Sequence, residues 1–452
     1  MRNAKRTFFH GLALAFLAGD WTPSALRARA RQAVDDSPLW LPGLVKRVLR
    51  AFPDAPEDDG RTLISFLEQD QRLCRLLCIP VGHGMTIRKW FMPLATMQPV
   101  AGPPAHFAVE PFPTVDDLAQ TLGLSPCRLA WFADIRGING HAHDQALSHY
   151  RFRWAEKRTG GYRLFEAPKP HLKAIQRQVL RAVLAKVPPS PVAHGFVAHR
   201  SVRTFATPHV GAKVVVRMDL CDFFNSIGRA RVVALFLRLG YSRAVALALA
   251  GLCTVAAPAR ILSAQPREQN NLDRRFALNQ RLRGPHLPQG APTSPALANL
   301  AAFRLDARLA GLASRFGARM TRYADDLAFS GGNDFDQALP YFLPRVGGVA
   351  LEEGFVINFR KTRIMRRSER QHVCSIVVNE TPNILRRDYD TLKATLWNCV
   401  KLGPALQNRH GHADFRRHLE GRIAWVSSIH KGRGDKLRAL FERIEWAPAS
   451  GG

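Results

Sequence analysis

The alternation of apolar and polar positions changes character along the chain. In residues 1–20, MRNAKRTFFHGLALAFLAGD, basic residues precede an apolar run. That is the outline of a signal peptide, but His10 interrupts the run and no small-residue cleavage site precedes Asp20. The segment reads instead as an N-terminal amphipathic helix packing on the body. Thr22-Pro23 then supplies a cap and a first helical position for SALRARARQAV. Thr114 caps VDDLAQTLG, with Asp116 and Asp117 in the first turn where the helix dipole favours them. Gly123 breaks the pattern and Ser125-Pro126 opens CRLAWFADI. Such a helix–turn–helix could read DNA sequence, but few basic residues lie on its second helix, which favours a helical hairpin packed beside a larger domain.

Beyond residue 211 the period shortens. AKVVVRMDLCDFFNSI (212–227) carries three contiguous β-branched residues, Val214 to Val216, and reads as a central strand covered on both faces. MTRYADDLAFSGG (320–332) reads as a hairpin with Asp325 and Asp326 at its tip. Between them, in RGPHLPQGAPTSPALANLAAFRLDARLAGLASRFG (283–317), Gly290 and Pro292 shape a tight loop and Ser294-Pro295 caps a helix. Leu297, Leu300, Leu305, Leu309 and Leu312 give that helix an apolar face.

Charge sharpens the picture. The 452 residues include 65 Lys and Arg against 36 Asp and Glu, a net +29, with 46% apolar residues. That is enough core for two or three domains, and a surface that calls for a polyanionic partner. Residues 1–113 hold 14 basic and 10 acidic residues, so nearly all of the excess lies beyond them. A Pro-rich stretch at 99–113 separates the parts as a linker or extended strap. Seven cysteines form no disulfide framework, and Cys74 and Cys78, with no second pair, read as buried helix thiols rather than a zinc site. No later apolar run reaches the roughly 18 residues of a membrane span.

The candidate chemistry lies in the acids. A carboxylate at the tip of a buried strand, Asp219, is costly unless compensated, and adjacent carboxylates such as Asp325 and Asp326 repel unless a cation sits between them. Brought together, the three suit two Mg²⁺ ions roughly 3.5–4 Å apart, able to activate a hydroxyl and stabilise departing pyrophosphate. The loop before Ser294 offers backbone amides and Gln289 to a nucleotide or its template. His410, His412, Asp414 and His418 could hold a nuclease metal, but no Glu or Lys completes a hydrolytic set, which favours an RNA-contacting surface. Walker, G-x-S-x-G and dinucleotide fingerprints do not occur.

These strings carry a family resemblance. MDLCDFFNSI resembles motif A of bacterial reverse transcriptases, LPQGAPTSPALANL motif B and RYADDLAFSG motif C, in the family's order and spacing. GGYRLFEAPKPHLKAIQRQVL (160–180) and AHGFVAHRS (193–201) resemble the fingers blocks, and EEGFVINFRKTR (352–363) resembles motif D. The match covers roughly residues 114–380, with thumb-like sequence to about 445. Retron-type enzymes are the nearest resemblance, although their N-A-x-x-H block appears as Phe205-Ala206-Thr207-Pro208-His209 and their V-T-G block as Val373-Cys374-Ser375.

The resemblance implies an α+β right-hand polymerase with fingers at 114–217, palm at 218–379 and a helical thumb with tail at 380–452, while residues 1–113 fall outside it and read as a mostly helical extension with a Pro-rich linker. It implies Asp219, Asp325 and Asp326 as catalytic acids with Mg²⁺, Asp219 and Asp325 binding metal directly and Asp326 partly structural. Phe224 matches the gate against a ribose 2′-hydroxyl, with Phe223 packing beneath it. Lys157 and Arg163 match triphosphate ligands, Gln289 a residue near nucleotide and template, and Lys361 a proton donor to pyrophosphate. Lys169, Lys173 and Arg177 face template phosphates. The implied function is RNA-directed DNA synthesis by a cytoplasmic retron enzyme in antiphage defence, with structured RNA, its DNA product, dNTPs and an effector protein as partners and no membrane. The rivals are an orphan defence-type reverse transcriptase with other priming, and an RNA-binding scaffold on a polymerase fold. Unused buried acids would be a standing electrostatic cost to such a scaffold.

Overall fold

The computed structural model describes residues 2–34, 39–56, 61–76, 86–91, 108–135, 137, 147–157, 160–266 and 272–446. Most of the Pro-rich strap at 99–113, and Cys78, lie outside them. The chain forms two compact units, one of Met1–Pro103, Pro111–Pro126 and Leu237–Ala246, the other of Pro104–Glu110, Cys127–Phe236 and Leu247–Gly452.

The first unit is helical. The N-terminal run forms a helix, Arg2–Leu17, which buries Phe8, Leu12 and Phe16 against Leu26, Leu44, Val48, Leu63 and Leu67 of the helices Pro23–Ala33, Leu41–Ala51 and Arg61–Gln69. Burial of these side chains offsets the ordering of short helices that would be marginal alone. Thr22 accepts from the Ala25 N–H, and Thr114 forms a reciprocal capping box with Asp117, as their spacing predicts. Arg29 donates to the carbonyls of Ala15, Phe16 and Asp20, answering orphan acceptors where the first helix ends. Among the described residues no helix is long and apolar enough to cross a membrane.

The second unit opens with an antiparallel hairpin of β1 (Tyr150–Glu156) and β2 (Tyr162–Pro168), followed by the helix Pro170–Ala182. Its centre is an antiparallel sheet of β3 (Val214–Asp219), β4 (Arg319–Tyr323), β5 (Asp326–Gly331) and β6 (Arg363–Arg366), in the order β4-β5-β3-β6. Val214, Val215 and Val216 of β3 are fully buried, as the β-branched run predicts. The helix Asn333–Glu352 packs on β3 and β5, its Phe342 meeting Phe329 of β5 and its own Phe335 edge to face. A small sheet of β7 (His372–Val373), β8 (Ile376–Val377) and β9 (Asn383–Ile384) shares one core with Val215 and Ala328 of the central sheet. Leu392, Leu396, Leu419, Ile423 and Leu437, from the helices Arg386–Leu402, Phe415–Ile429 and Lys431–Phe441, complete that core.

Two expectations change. The residue ahead of the helix Ser294–Ala301 is Thr293, and Ser294 lies in the first turn, where its hydroxyl donates to the Pro288 carbonyl at 2.7 Å instead of capping. The leucine pattern is split between that helix and Phe303–Arg315, so Leu297, Leu305 and Leu309 are buried while Leu300 and Leu312 are half-buried.

Arg322 on β4 and Asp306 on the helix Phe303–Arg315 are both fully buried and joined by two hydrogen bonds, 2.6 and 2.8 Å. Removing one partner leaves an unanswered buried charge, so Asp306→Ala should destabilise by about 3–5 kcal/mol. Replacing both by apolar residues of similar volume should cost less. Urea unfolding of the two variants checks both statements.

Candidate active site

Three carboxylates meet at one end of the central sheet. β3 ends at Asp219, paired in register with Asp326, the first residue of β5. Asp325 occupies the turn between β4 and β5, where Tyr323 pairs with Asp326. The Leu220 N–H donates to the Asp325 carbonyl at 2.9 Å, and the Arg322 guanidinium donates to the Ala324 carbonyl at 3.1 Å. Ala324 adopts φ +55°, a conformation that costs about 1 kcal/mol or more and persists because its surroundings fix it. Gly195 lies against this turn: a Cβ there would come within 2.5 Å of the Ala324 nitrogen, which explains the glycine in AHGF. At the base of the hairpin, buried His209 bonds Ser330 on β5 and Thr321 on β4, each at 2.7 Å. Burial pushes its pKa down to about 3, so the histidine of the altered N-A-x-x-H block is neutral and structural here.

Burial outweighs the positive charge beside the two hairpin acids. Burial first, then the charges of Asp326 and Asp219, push the Asp325 carboxyl up to about 6. Burial raises Asp326 as well, against the Arg217 Nε 3.9 Å away. The ammonium of Lys361, from motif D, donates to both oxygens of Asp219 at 2.9 and 3.0 Å. Among the described residues no three His, Cys, Asp or Glu side chains converge tightly enough to form a finished metal cage. Their donor chemistry, three hard carboxylates of which burial raises two, fits a divalent metal that prefers oxygen ligands.

Asp219 and Asp325 line a cavity of about 470 Å³ together with Phe224, Gln289 and Lys361. Lys157, Arg163, Lys173 and Arg177 line the same cavity and give it basic character. Lys157 stands 3.8 Å from Asp222, which also takes a 2.9 Å bond from Arg281. Phe224 is half-buried with its ring 5.5 Å from Phe223 and 6.1 Å from Phe196, and Phe223 is buried against Phe355. The Gln289 carbonyl accepts from the Glu166 N–H at 2.9 Å and the Gln289 N–H donates to the Glu166 carboxylate at 3.3 Å, whereas the Gln289 side-chain oxygen is buried without a protein partner beside the cavity. Gly290 has φ +135°, and a Cβ there would crowd the Glu166 carbonyl at 3.2 Å. Lys169, at the start of the helix Pro170–Ala182, and Asp326 fall outside the described lining. The Asp326 carboxylate instead faces Arg217 and the Cys374 thiol, which donates to it at 3.4 Å. Burial and Asp326 together push that thiol up, so it stays an S–H donor.

A family model described as reverse transcriptase (RNA-dependent DNA polymerase) matches residues 155–385. The Retron Mx65 reverse transcriptase of Myxococcus xanthus is 39% identical over 333 residues, 74% of this chain and 72% of that one. The Retron Mx162 reverse transcriptase of the same organism is 41% identical over 348 residues, 74% of this chain and 67% of that one. The chain belongs to the retron-type reverse transcriptases. The Retron Ec86 reverse transcriptase of Escherichia coli is 31% identical over 281 residues, 62% of this chain and 75% of that one. Among solved structures, a foamy viral protease-reverse transcriptase in complex with double-stranded DNA is 15% identical with a TM-score of 0.30, over 66% of this chain and 44% of that one.

A retron-type reverse transcriptase is an RNA-directed DNA polymerase, and its family implies a nucleic-acid template and primer, deoxynucleoside triphosphates and a divalent metal. Three residues beside these acids carried no signal in the sequence. Arg281 is one arginine in a basic helix, Arg322 reads as part of a strand flank, and Cys374 as a departure from V-T-G. Each acts through a contact distant in sequence, with Asp222, Asp306 and Asp326 respectively.

The raised pKa of Asp325 has a measurable sign. A carboxyl that binds its proton more tightly folded than unfolded favours the fold at low pH, and that contribution is lost as pH rises through about 6. In metal-free protein Asp325→Asn should therefore raise the melting temperature above pH 6, and the gain should vanish below about pH 4. Thermal unfolding across pH in chelator checks it.

Proposed function

We propose that this chain extends a primer on a structured RNA template by two-metal nucleotidyl transfer, as a cytoplasmic retron enzyme serving antiphage defence with an effector protein. The observation that carries the chemistry is the convergence of Asp219 and Asp325 with Lys157, Arg163, Gln289, Phe224 and Lys361 around one cavity. Identity of 39–41% to retron reverse transcriptases favours the retron reading over an orphan enzyme or a scaffold.

In this reading Asp219 and Asp325 bind metal and Asp326 supports them from the side. Two Mg²⁺ ions held there supply the positive charge that activates the primer hydroxyl and offsets the departing pyrophosphate. Lys157 and Arg163 neutralise the triphosphate, Arg163 by a planar fork suited to phosphate oxygens. The unpartnered Gln289 oxygen accepts from the nucleotide or template, where a buried acceptor otherwise costs stability. Phe224 closes the space beside C2′ of the sugar. Lys361 leaves Asp219 to protonate the departing pyrophosphate oxygen. Lys173 and Arg177 lie at i and i+4 on one face of the helix that Lys169 precedes, and the three hold template phosphates.

Asp325→Asn removes a charge at nearly constant volume, and extension of a primed RNA template should fall by several orders of magnitude with the fold retained. Near-normal extension would refute the assignment. Phe224→Ala should raise ribonucleotide incorporation relative to deoxynucleotide. An unchanged ratio in soluble protein, with stability lowered by roughly 3–5 kcal/mol, would make Phe224 a packing residue only.

A further inference from the structure

β7 and β8 form a two-residue hairpin: Val373 pairs with Ile376, and Cys374 and Ser375 make the turn with φ +42° and +68°. Turns with both central residues at positive φ favour Asn and Gly, so Cys-Ser is an unfavourable choice that its contacts must offset. Val373 and Ile376 on either side are fully buried in the core that also holds Val215 of β3 and Ala328 of β5. The turn is thus fixed to the same framework as the strands that carry the acids. From it the Cys374 thiol reaches Oδ2 of Asp326 at 3.4 Å, while Arg217 stands 3.9 Å from Oδ1. The carboxylate is bracketed, one neighbour on each oxygen.

The geometry points to Cys374 as a positioning residue that fixes the orientation of the Asp326 carboxylate and thereby sets the affinity of the acid cluster for its divalent cation. This rests on the proposed reading of the three acids as the metal site. Asp326 supports the two metal-binding acids from the side, and outer groups that hold the carboxylates around a metal commonly change its affinity when removed, by about 10–100-fold. A thiol is a weak donor, which places the effect at the lower end. Serine keeps a donor at the turn without the second branch that positive φ penalises in threonine.

The test uses the full chain without nucleic acid and follows Mn²⁺ binding by the electron paramagnetic resonance signal of the free ion. Cys374→Ala should raise the dissociation constant about tenfold, and Cys374→Ser should stay within about threefold of the parent. Metal-free thermal unfolding verifies that each variant is folded. Parent-like binding by folded Cys374→Ala, or binding by Cys374→Ser as weak as that of Cys374→Ala, overturns the inference. Asp325→Asn separates the two levels. If it loses Mn²⁺ while Cys374→Ala does not, the metal site stands and the role of Cys374 falls. If Asp325→Asn also binds like the parent, the acids are not the metal site and both readings fall.

Discussion

Taking a guanidinium fully out of water is tolerable only if its N–H groups are answered, and Arg322 meets that demand with partners from different parts of the chain. Asp306 supplies two carboxylate oxygens from the helix that follows motif B, Asn299 supplies an amide oxygen at 3.0 Å, and the Ala324 carbonyl closes the set from the turn that carries Asp325. The ring of Phe223, from motif A, lies 5.6 Å from the guanidinium carbon. Motifs A, B and C therefore meet around one buried charge. The strained backbone at Ala324 and the close approach of Gly195 depend on the same placement. A framework this constrained can hold acids close together even though they repel.

That repulsion organises the site. Asp325 and Asp326 are raised by burial, and Lys361 lies on Asp219 as the available cation. Lys157, Arg163, Lys173 and Arg177 line the same cavity as Asp219 and Asp325. In the proposed reading the cavity brings acids that would take a cation together with basic residues that would take an anion. A metal-bound triphosphate answers both. In the proposed reading it would also free Lys361 from Asp219, so that one ammonium serves first as counterion to the acid and then as proton donor.

Much of this was legible because polymerase chemistry leaves local marks. The β-branched run before Asp219, the paired acids in a hairpin and the glycine and prolines around Gln289 each obey a short-range rule, and each lies where that rule puts it. Caps at Thr22 and Thr114 followed for the same reason. Ser294 did not, because the Pro288 carbonyl competed for its hydroxyl. Arg322 with Asp306, Arg281 with Asp222 and Cys374 with Asp326 were hidden because nothing in a linear string says which of many arginines or acids will meet. His209 kept its identity in a degraded block for a reason sequence could not supply, a pair of hydroxyls on neighbouring strands.

The central claim is that Lys361 holds Asp219 in place of a metal and yields when metal and nucleotide arrive. A crystal structure of the chain with primed RNA template, deoxynucleoside triphosphate and Mn²⁺, recorded at the manganese edge, tests it directly. The account predicts anomalous peaks coordinated by Asp219 and Asp325, with the Lys361 ammonium moved from its 2.9 Å contact with Asp219 toward the β- and γ-phosphates. Nucleotide bound in the cavity with Lys361 still on Asp219 and no manganese between the acids would contradict it.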